Sequence, residues 1–313
     1  MPELPEVETI RRGLSKRIIG RRIISLYFDW AKSFQGDKSM VEGQEIVNIE
    51  RRAKTIRIKL KNAYSLLFHL KMTGQLIYRE QSAVGSKQSA AKTTVDKLQT
   101  ANYFAGGHPD HDWHAELPNK HTRIAFNLDD NSTLYFNDLR KFGWCKVMTE
   151  QEVQDFYAKS YGLEPLLLID NLIGKVNPEF NVEYLQEKAS RIPNRNIKQF
   201  LLDQTIVTGI GNIYADEILF DVQILPTRKV KDISINEWQK IIESTVKILN
   251  LAINHGGTTD SDYVNADGEK GGMQDYLKVY HKDGSRCAGK CGGFVLRTTV
   301  GGRGTHYCSN CQK

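Results

Sequence analysis

Apolar positions near the start of the chain recur at helical spacing. Val7, Ile10, Leu14 and Ile18 fall on one face, which predicts a core-facing helix over 5–19. Pro5 suits its first turn, Glu6 and Glu8 complement its positive end, and Gly20 stops it. The period then changes. Short alternating or continuous apolar runs occur at 23–28, 46–49, 56–60, 65–70, 124–128 and 133–136. Strands of this length and spacing predict a sandwich or barrel reaching to about residue 148. The stretch 81–118 interrupts them. It is rich in Ser, Ala, Gln, Lys and Gly without a sustained period, and reads as a mobile surface insertion. Its His108, Asp110, His111, Asp112 and His114 read as solvated polar residues rather than metal ligands.

The second half is helical in pattern, with stripes at 182–191, 196–203, 215–222 and 235–254. The chain is therefore expected to be an α+β multidomain protein. An N-terminal domain over 2–150 is followed by a linker at 151–175, a helical domain over 176–272 and a small C-terminal unit over 278–313.

That last unit changes the picture most. Residues 280–313 contain Lys282, Arg286, Lys290, Arg297, Arg303 and Lys313 against one acidic residue, Asp283, in a chain whose net charge is +6. Such a tail suits a polyanionic partner. It also holds four of the five cysteines. Cys287 and Cys291 are separated by three residues, Cys308 and Cys311 by two, with sixteen between the pairs. The intervening segment reads as two strands around a glycine-rich turn. Two thiolate pairs so joined are expected to close a tetrahedral zinc site. Disulfides are the alternative, disfavoured in a cytosolic chain. Cytosolic placement is expected because no apolar run approaches a membrane span and Glu3, Glu6 and Glu8 stand where a signal peptide needs basic and apolar residues. Cys145, in an aromatic neighbourhood, reads as core.

Two local motifs admit both a bland and a chemical reading. Pro2 directly follows Met1. Once Met1 is removed it is a secondary amine, nucleophilic near neutral pH, with Glu3 beside it to move protons. Equally, it is an unremarkable start before a helix. Gly209-Ile210-Gly211-Asn212 places two glycines before a helix, where backbone N–H groups can meet a phosphate; structural turns explain most such sequences. Lys188, Arg191, Arg195 and Lys198 just upstream add weight to nucleic acid.

Taken together, the motifs resemble the bacterial formamidopyrimidine-DNA glycosylase family. The opening Met1-Pro2-Glu3-Leu4-Pro5-Glu6-Val7-Glu8-Thr9 matches the family's start. Arg51-Arg52-Ala53-Lys54, His69-Leu70-Lys71-Met72-Thr73-Gly74 and Asp138-Leu139-Arg140-Lys141-Phe142-Gly143 follow. Leu201-Leu202-Asp203-Gln204, Gly209 to Ala215, Gly256-Gly257-Thr258-Thr259 and Val300 to Cys308 complete the order. The resemblance implies an N-terminal β-sandwich with an N-terminal helix, a helix–two-turn–helix domain and a C-terminal zinc ribbon. It implies a monomeric enzyme that excises oxidised purines from damaged double-stranded DNA and then cuts the strand, with no nucleotide cofactor and no membrane. Pro2 is then the nucleophile towards C1′, Glu3 a proton donor, Lys54 a proton donor in β-elimination, and Arg303 a phosphate contact linked to δ-elimination. Met72, Arg140 and Phe142 fill the gap left by a flipped base. His121, Lys198, Gly211 and Asn212 are further DNA contacts, and Cys287, Cys291, Cys308 and Cys311 bind one structural Zn2+. Residues 256–272 are expected to cover the flipped base.

Three features depart from the family pattern. The first cysteine pair is CxxxC where CxxC is usual, the 81–118 insertion is long, and Ser190 to Asn196 replaces a lysine-rich segment. An endonuclease VIII-like enzyme acting on oxidised pyrimidines would use the same proline. Leu4-Pro5-Glu6-Val7 and Phe142 favour the purine enzyme. A zinc-finger DNA-binding protein without catalysis would not need Pro2, Glu3 and Lys54.

Overall fold

The computed structural model describes residues 1–80, 103–107, 117–167, 174–258 and 271–313. Helix α1 (Leu4–Ile18) is followed by β1 (Ile23–Phe28), β2 (Phe34–Gln35), β3 (Ile46–Arg52), β4 (Thr55–Leu60), β5 (Tyr64–His69) and β6 (Gly74–Arg79). Then come β7 (Tyr103–Gly107), β8 (Thr122–Leu128), β9 (Thr133–Asp138) and β10 (Trp144–Thr149). These strands form two five-stranded sheets, ordered β1-β8-β9-β6-β7 and β2-β10-β5-β4-β3. Alternating inward residues of both sheets, such as Ile58, Phe68, Leu76, Phe126 and Phe136, share one core.

The insertion expected at 81–118 is not loop throughout. Strand β7 pairs antiparallel with β6 at the sheet edge; the histidine-rich residues 108–114 lie outside the described residues. Cys145 is wholly buried in the sandwich core.

The stretch expected as a linker begins with helix α2 (Glu150–Ser160), capped by Thr149, whose hydroxyl accepts from Glu152 N–H. The short pair β11 (Leu166–Leu167) and β12 (Lys175–Val176) follows. The helical part comprises α3 (Val182–Ser190), α4 (Ile197–Leu202), α5 (Asn212–Asp221) and α6 (Ile235–Asn254). α6 carries the capping box Ser234/Glu237. A hairpin of β13 (Leu296–Val300) and β14 (Arg303–Tyr307) ends the chain.

One helix serves two cores. Val7, Ile10, Leu14 and Ile18 of α1 pack into the sandwich, while Leu4 packs among Ile210, Tyr214 and other residues of the helical part. Leu4 N–H also donates to Gly209 O at 3.0 Å. Gly209 has φ +95°, and a Cβ there would meet Leu4 Cδ1 at 2.6 Å; a side chain is excluded by conformation and space together. The chain's first residues are thereby fixed where the two cores meet.

A buried ionic cluster holds the same junction. Arg51 bonds Glu8 at 3.2 Å and Glu164 at 2.6 Å, and Ala53 N–H donates to Glu164 Oε1. Ala53 sits at φ +58° in the tight turn between β3 and β4. Glu164, just after α2, therefore grips the turn that presents Lys54.

Candidate active site and DNA-facing surface

Glu3 is buried and its carboxylate lies at the N-terminal end of α5. Oε2 accepts the Gly211 N–H at 2.7 Å, and Oε1 accepts the Ile213 N–H at 2.9 Å. These are orphan donors of a helix start, where negative charge is favoured. Burial nevertheless raises the Glu3 carboxyl to about 7, while the Lys54 ammonium opposes the rise. A carboxyl near neutrality is suited to giving and taking protons. Its own N–H donates to Glu6 Oε2 at 2.8 Å. Glu6 in turn accepts from Tyr214 Oη at 2.6 Å and Thr258 N–H at 2.8 Å.

Lys54 is buried, and its Nζ donates to Ile210 O at 2.8 Å. Burial pushes its ammonium below the ordinary lysine value, with Glu3 and Glu6 opposing. Glu3, Lys54, Met72, Gly211, Asn212 and Arg303 line one cavity of about 450 Å³. Pro2 is buried, and its chain neighbours Met1 and Glu3 both line the cavity. The site thus draws on α1, the β3–β4 turn, the start of α5 and the C-terminal hairpin.

The remaining expected DNA contacts lie elsewhere. Arg140 and Phe142 stand exposed on the loop between β9 and β10, with the guanidinium 5.0 Å from the ring centroid. Asp138, a residue quoted only as part of a motif, shapes that loop. Its carboxylate accepts the Gly143 N–H at 2.7 Å and the Arg140 N–H at 3.2 Å, and it is bonded by Thr73 Oγ1. Met72, on the neighbouring turn, is likewise exposed. Half-buried His121 sits at the base of the same loop, its carbonyl accepting the Asp138 N–H at 2.9 Å. His69 accepts the Lys71 N–H on Nδ1 at 3.0 Å. Burial lowers its imidazole to about 3, so it is a neutral ring whose Nε2 carries the proton.

Two expected DNA contacts have partners within the protein. Lys198 does not face outwards. Its side chain is fully buried, with Nζ 2.6 Å from Asp216 and donating to Thr305 Oγ1 at 2.8 Å and Gly304 O at 3.0 Å. A buried ammonium needs an anion and acceptors, and here the hairpin supplies the acceptors. Gly211 does not offer its N–H to a phosphate either, because Glu3 occupies it. Asn212 Nδ2 donates to Gly304 O at 3.0 Å.

In the C-terminal unit, the four Sγ atoms of Cys287, Cys291, Cys308 and Cys311 all lie within 4.8 Å of one another. The pairs Cys287–Cys311 and Cys291–Cys308 approach to 3.4 and 3.5 Å. Tetrahedral thiolate ligation at about 2.3 Å sets S···S edges near 3.8 Å, so the cluster fits a metal ion. The longer CxxxC knuckle does not prevent closure: Gly289 N–H, inside it, donates to Cys287 Sγ at 3.3 Å. Of residues 256–272, those at 259–270 lie outside the described residues.

A family model described as the formamidopyrimidine-DNA glycosylase N-terminal domain matches residues 1–145, and the H2TH domain of the same glycosylase matches 170–263. A formamidopyrimidine-DNA glycosylase of Bacillus cereus is 33% identical, covering 100% of this chain and 99% of its own length. The chain belongs to this family. A relative of the same name from Carboxydothermus hydrogenoformans is 36% identical with complete coverage of both chains. Among solved structures, the Lactococcus lactis Fpg in complex with an abasic site containing DNA superposes with a TM-score of 0.78 at 29% identity, covering 99% of both chains. The family fold accounts for the order found here: sandwich, helical domain, cysteine hairpin. Among the described residues, no helix is long and apolar enough to cross a membrane.

Proposed function

We propose that this chain is a bifunctional DNA glycosylase and abasic-site lyase that removes 8-oxoguanine and formamidopyrimidines from duplex DNA. The observation that carries the reading is the buried Glu3 carboxylate, seated on the Gly211 and Ile213 N–H groups, adjacent in sequence to Pro2 and on a cavity shared with Lys54 and Arg303.

Each residue has a chemical task in this reading. Removal of Met1 frees the Pro2 amine, which attacks C1′ and displaces the damaged base. Glu3 gives a proton to the opening sugar ring. The resulting iminium acidifies C2′, so that the 3′ phosphate leaves by β-elimination; Lys54, held against Ile210 O, supplies a proton there. A second elimination frees the 5′ phosphate beside Arg303. The nucleotide reaches the cavity only by leaving the stack. Met72 and Phe142 wedge into the gap, and Arg140 hydrogen-bonds the orphaned base. The cysteine cluster holds zinc, which cross-links a hairpin too small to build its own core.

Borohydride trapping on a duplex with one 8-oxoguanine opposite cytosine tests this. The expected result is a covalent adduct mapped to Pro2 and lost in Pro2→Gly. No adduct with Met1-processed protein, or full adduct yield from Pro2→Gly, overturns the mechanism. A strong preference for a thymine-glycol duplex would move the substrate to oxidised pyrimidines.

A further inference from the structure

Asp216 belongs to none of the tasks above, yet it is fully buried where α4, α5 and β14 converge. One carboxylate oxygen lies 2.6 Å from Lys198 Nζ. The other accepts the His306 backbone N–H at 2.9 Å and lies 3.2 Å from His306 Nδ1. Lys198 passes the grip on to Gly304 O and Thr305 Oγ1. Asn212, one helical turn before Asp216 on α5, holds the same Gly304 carbonyl. All these bonds end on 304–306, the residues directly after Arg303.

At the tip of the hairpin, Gly301 packs against the Gln199 side chain. Gly301 and Gly302 both have positive φ, the geometry of a two-residue turn, and both they and Arg303 are exposed. On the side of the hairpin that faces the protein, Asn212 holds Gly304 O directly, while the Lys198 and His306 contacts both converge on the Asp216 carboxylate. A buried carboxylate shared by an ammonium and a backbone N–H is costly to disturb, because each partner is left desolvated without it.

We propose that Asp216 is a positioning residue for the second strand cut: through Lys198 and His306 it holds the β13–β14 hairpin so that Arg303 faces the departing 5′ phosphate. This rests on the glycosylase–lyase reading. After the first elimination the sugar remnant is an unsaturated iminium on Pro2. Water takes a proton from C4′ and its electron pair moves to the nitrogen, giving a dienamine. The nitrogen pair then returns along the chain, the C4′=C5′ bond forms, and the C5′–O bond breaks with its electrons on the phosphate. Water later hydrolyses the iminium, freeing Pro2. Arg303 acts only where negative charge collects on that leaving phosphate. Pro2 and Glu3 are held by α1 and the start of α5, not by the hairpin.

The two cuts should therefore separate on Asp216→Asn, which keeps the side chain's shape and removes its charge. In single turnovers on an 8-oxoguanine duplex, the ratio of 3′-phosphate ends to unsaturated-aldehyde ends should fall about tenfold, with the borohydride-trapped yield within about twofold of the parent. Asp216→Glu, retaining the charge, should recover part of the ratio. An unchanged ratio overturns the assignment, as does an equal fall in both eliminations with the metal still bound. If Asp216→Asn loses its metal, His306→Gln decides: the ratio should shift in the same direction, and no shift overturns the assignment. A parent protein that forms no adduct fails the glycosylase reading itself. A parent that makes both cuts, with Asp216→Asn partitioning identically, fails only the role of Asp216.

Discussion

Glu3 and Gly211 are in contact along the whole carboxylate: the Gly211 N–H donates to Oε2 at 2.7 Å, and a Cβ on Gly211 would lie 2.3 Å from Glu3 Cδ. The glycine is needed for space rather than for a phosphate approach. Gly211→Ala should therefore displace Glu3 while α5 persists. A misplacement on the order of 1 Å costs about a hundredfold in rate, and single-turnover base release should fall by at least that much with little change in DNA affinity. Normal base release in this variant would show that Glu3 is not the proton donor.

The pH profile follows from the same carboxyl. On the proposed mechanism, base release needs Glu3 protonated and the Pro2 amine neutral. Burial places the Glu3 carboxyl at about 7, and an unperturbed α-amino group titrates at roughly 7.7–8.0. Rate should fall at low pH as the amine protonates and at high pH as Glu3 ionises, giving a narrow bell between about 7 and 8. Glu3→Gln should remove the alkaline limb along with most of the rate. A profile flat from pH 6 to 9 contradicts this assignment.

Asp138 organises the loop that carries Arg140 and Phe142. Asp138→Ala leaves the buried Gly143 N–H without its acceptor and removes the partner of Thr73 Oγ1, while the Arg140 N–H keeps Thr73 Oγ1. A buried donor so abandoned costs about 1–3 kcal/mol. Affinity for an abasic-analogue duplex should weaken by roughly tenfold or more, as measured by gel shift, while undamaged DNA loses less. Equal weakening for both duplexes would remove the loop from lesion recognition.

Glu164 should matter to stability far more than its position between domains suggests. Glu164→Ala strips Arg51 of its 2.6 Å partner and Ala53 N–H of its acceptor. Breaking a buried pair from one side costs about 3–5 kcal/mol. Denaturant unfolding should show a loss of that size, and a change under 1 kcal/mol would mean the cluster is solvated.

Metal removal should act locally. Chelation is expected to abolish retention of lesion duplex while the far-ultraviolet circular dichroism of the sandwich persists, because the cysteine hairpin and the sandwich core are separate clusters. Unchanged binding after measured loss of the metal would dissociate the hairpin from DNA recognition.

Much of this was legible in the sequence. The expected bounds of α6 coincide with those found, and α1 is displaced by one residue, since both carry strong apolar stripes. α2 was missed because it has almost no stripe: only Val153 is buried, and what declares the helix is its cap. β6 is buried at all but its last residue and β10 only at Cys145, so neither carries the alternation that marks a half-buried strand. Glu3, Lys54, Met72 and Arg303, quoted from separate motifs, line one cavity. Lys198 shows the limit of such reading. A lysine in a basic run looks solvated unless its acid is known, and Asp216 and the hairpin carbonyl lie too far along the chain for any local window to reveal.

The Glu3–Gly211 bond spans 208 residues, and this sets an order of assembly. During synthesis α1 can fold and Met1 can be removed while Glu3 still has no amides to accept from. Contacts of such long range form late, and domains emerge from the ribosome in sequence. Pro2 is thus available before Glu3 has its partners. A chain ending before α5 would carry Glu3 without the Gly211 and Ile213 amides that seat its carboxylate, so on the proposed mechanism its amine would be exposed with no proton donor in place.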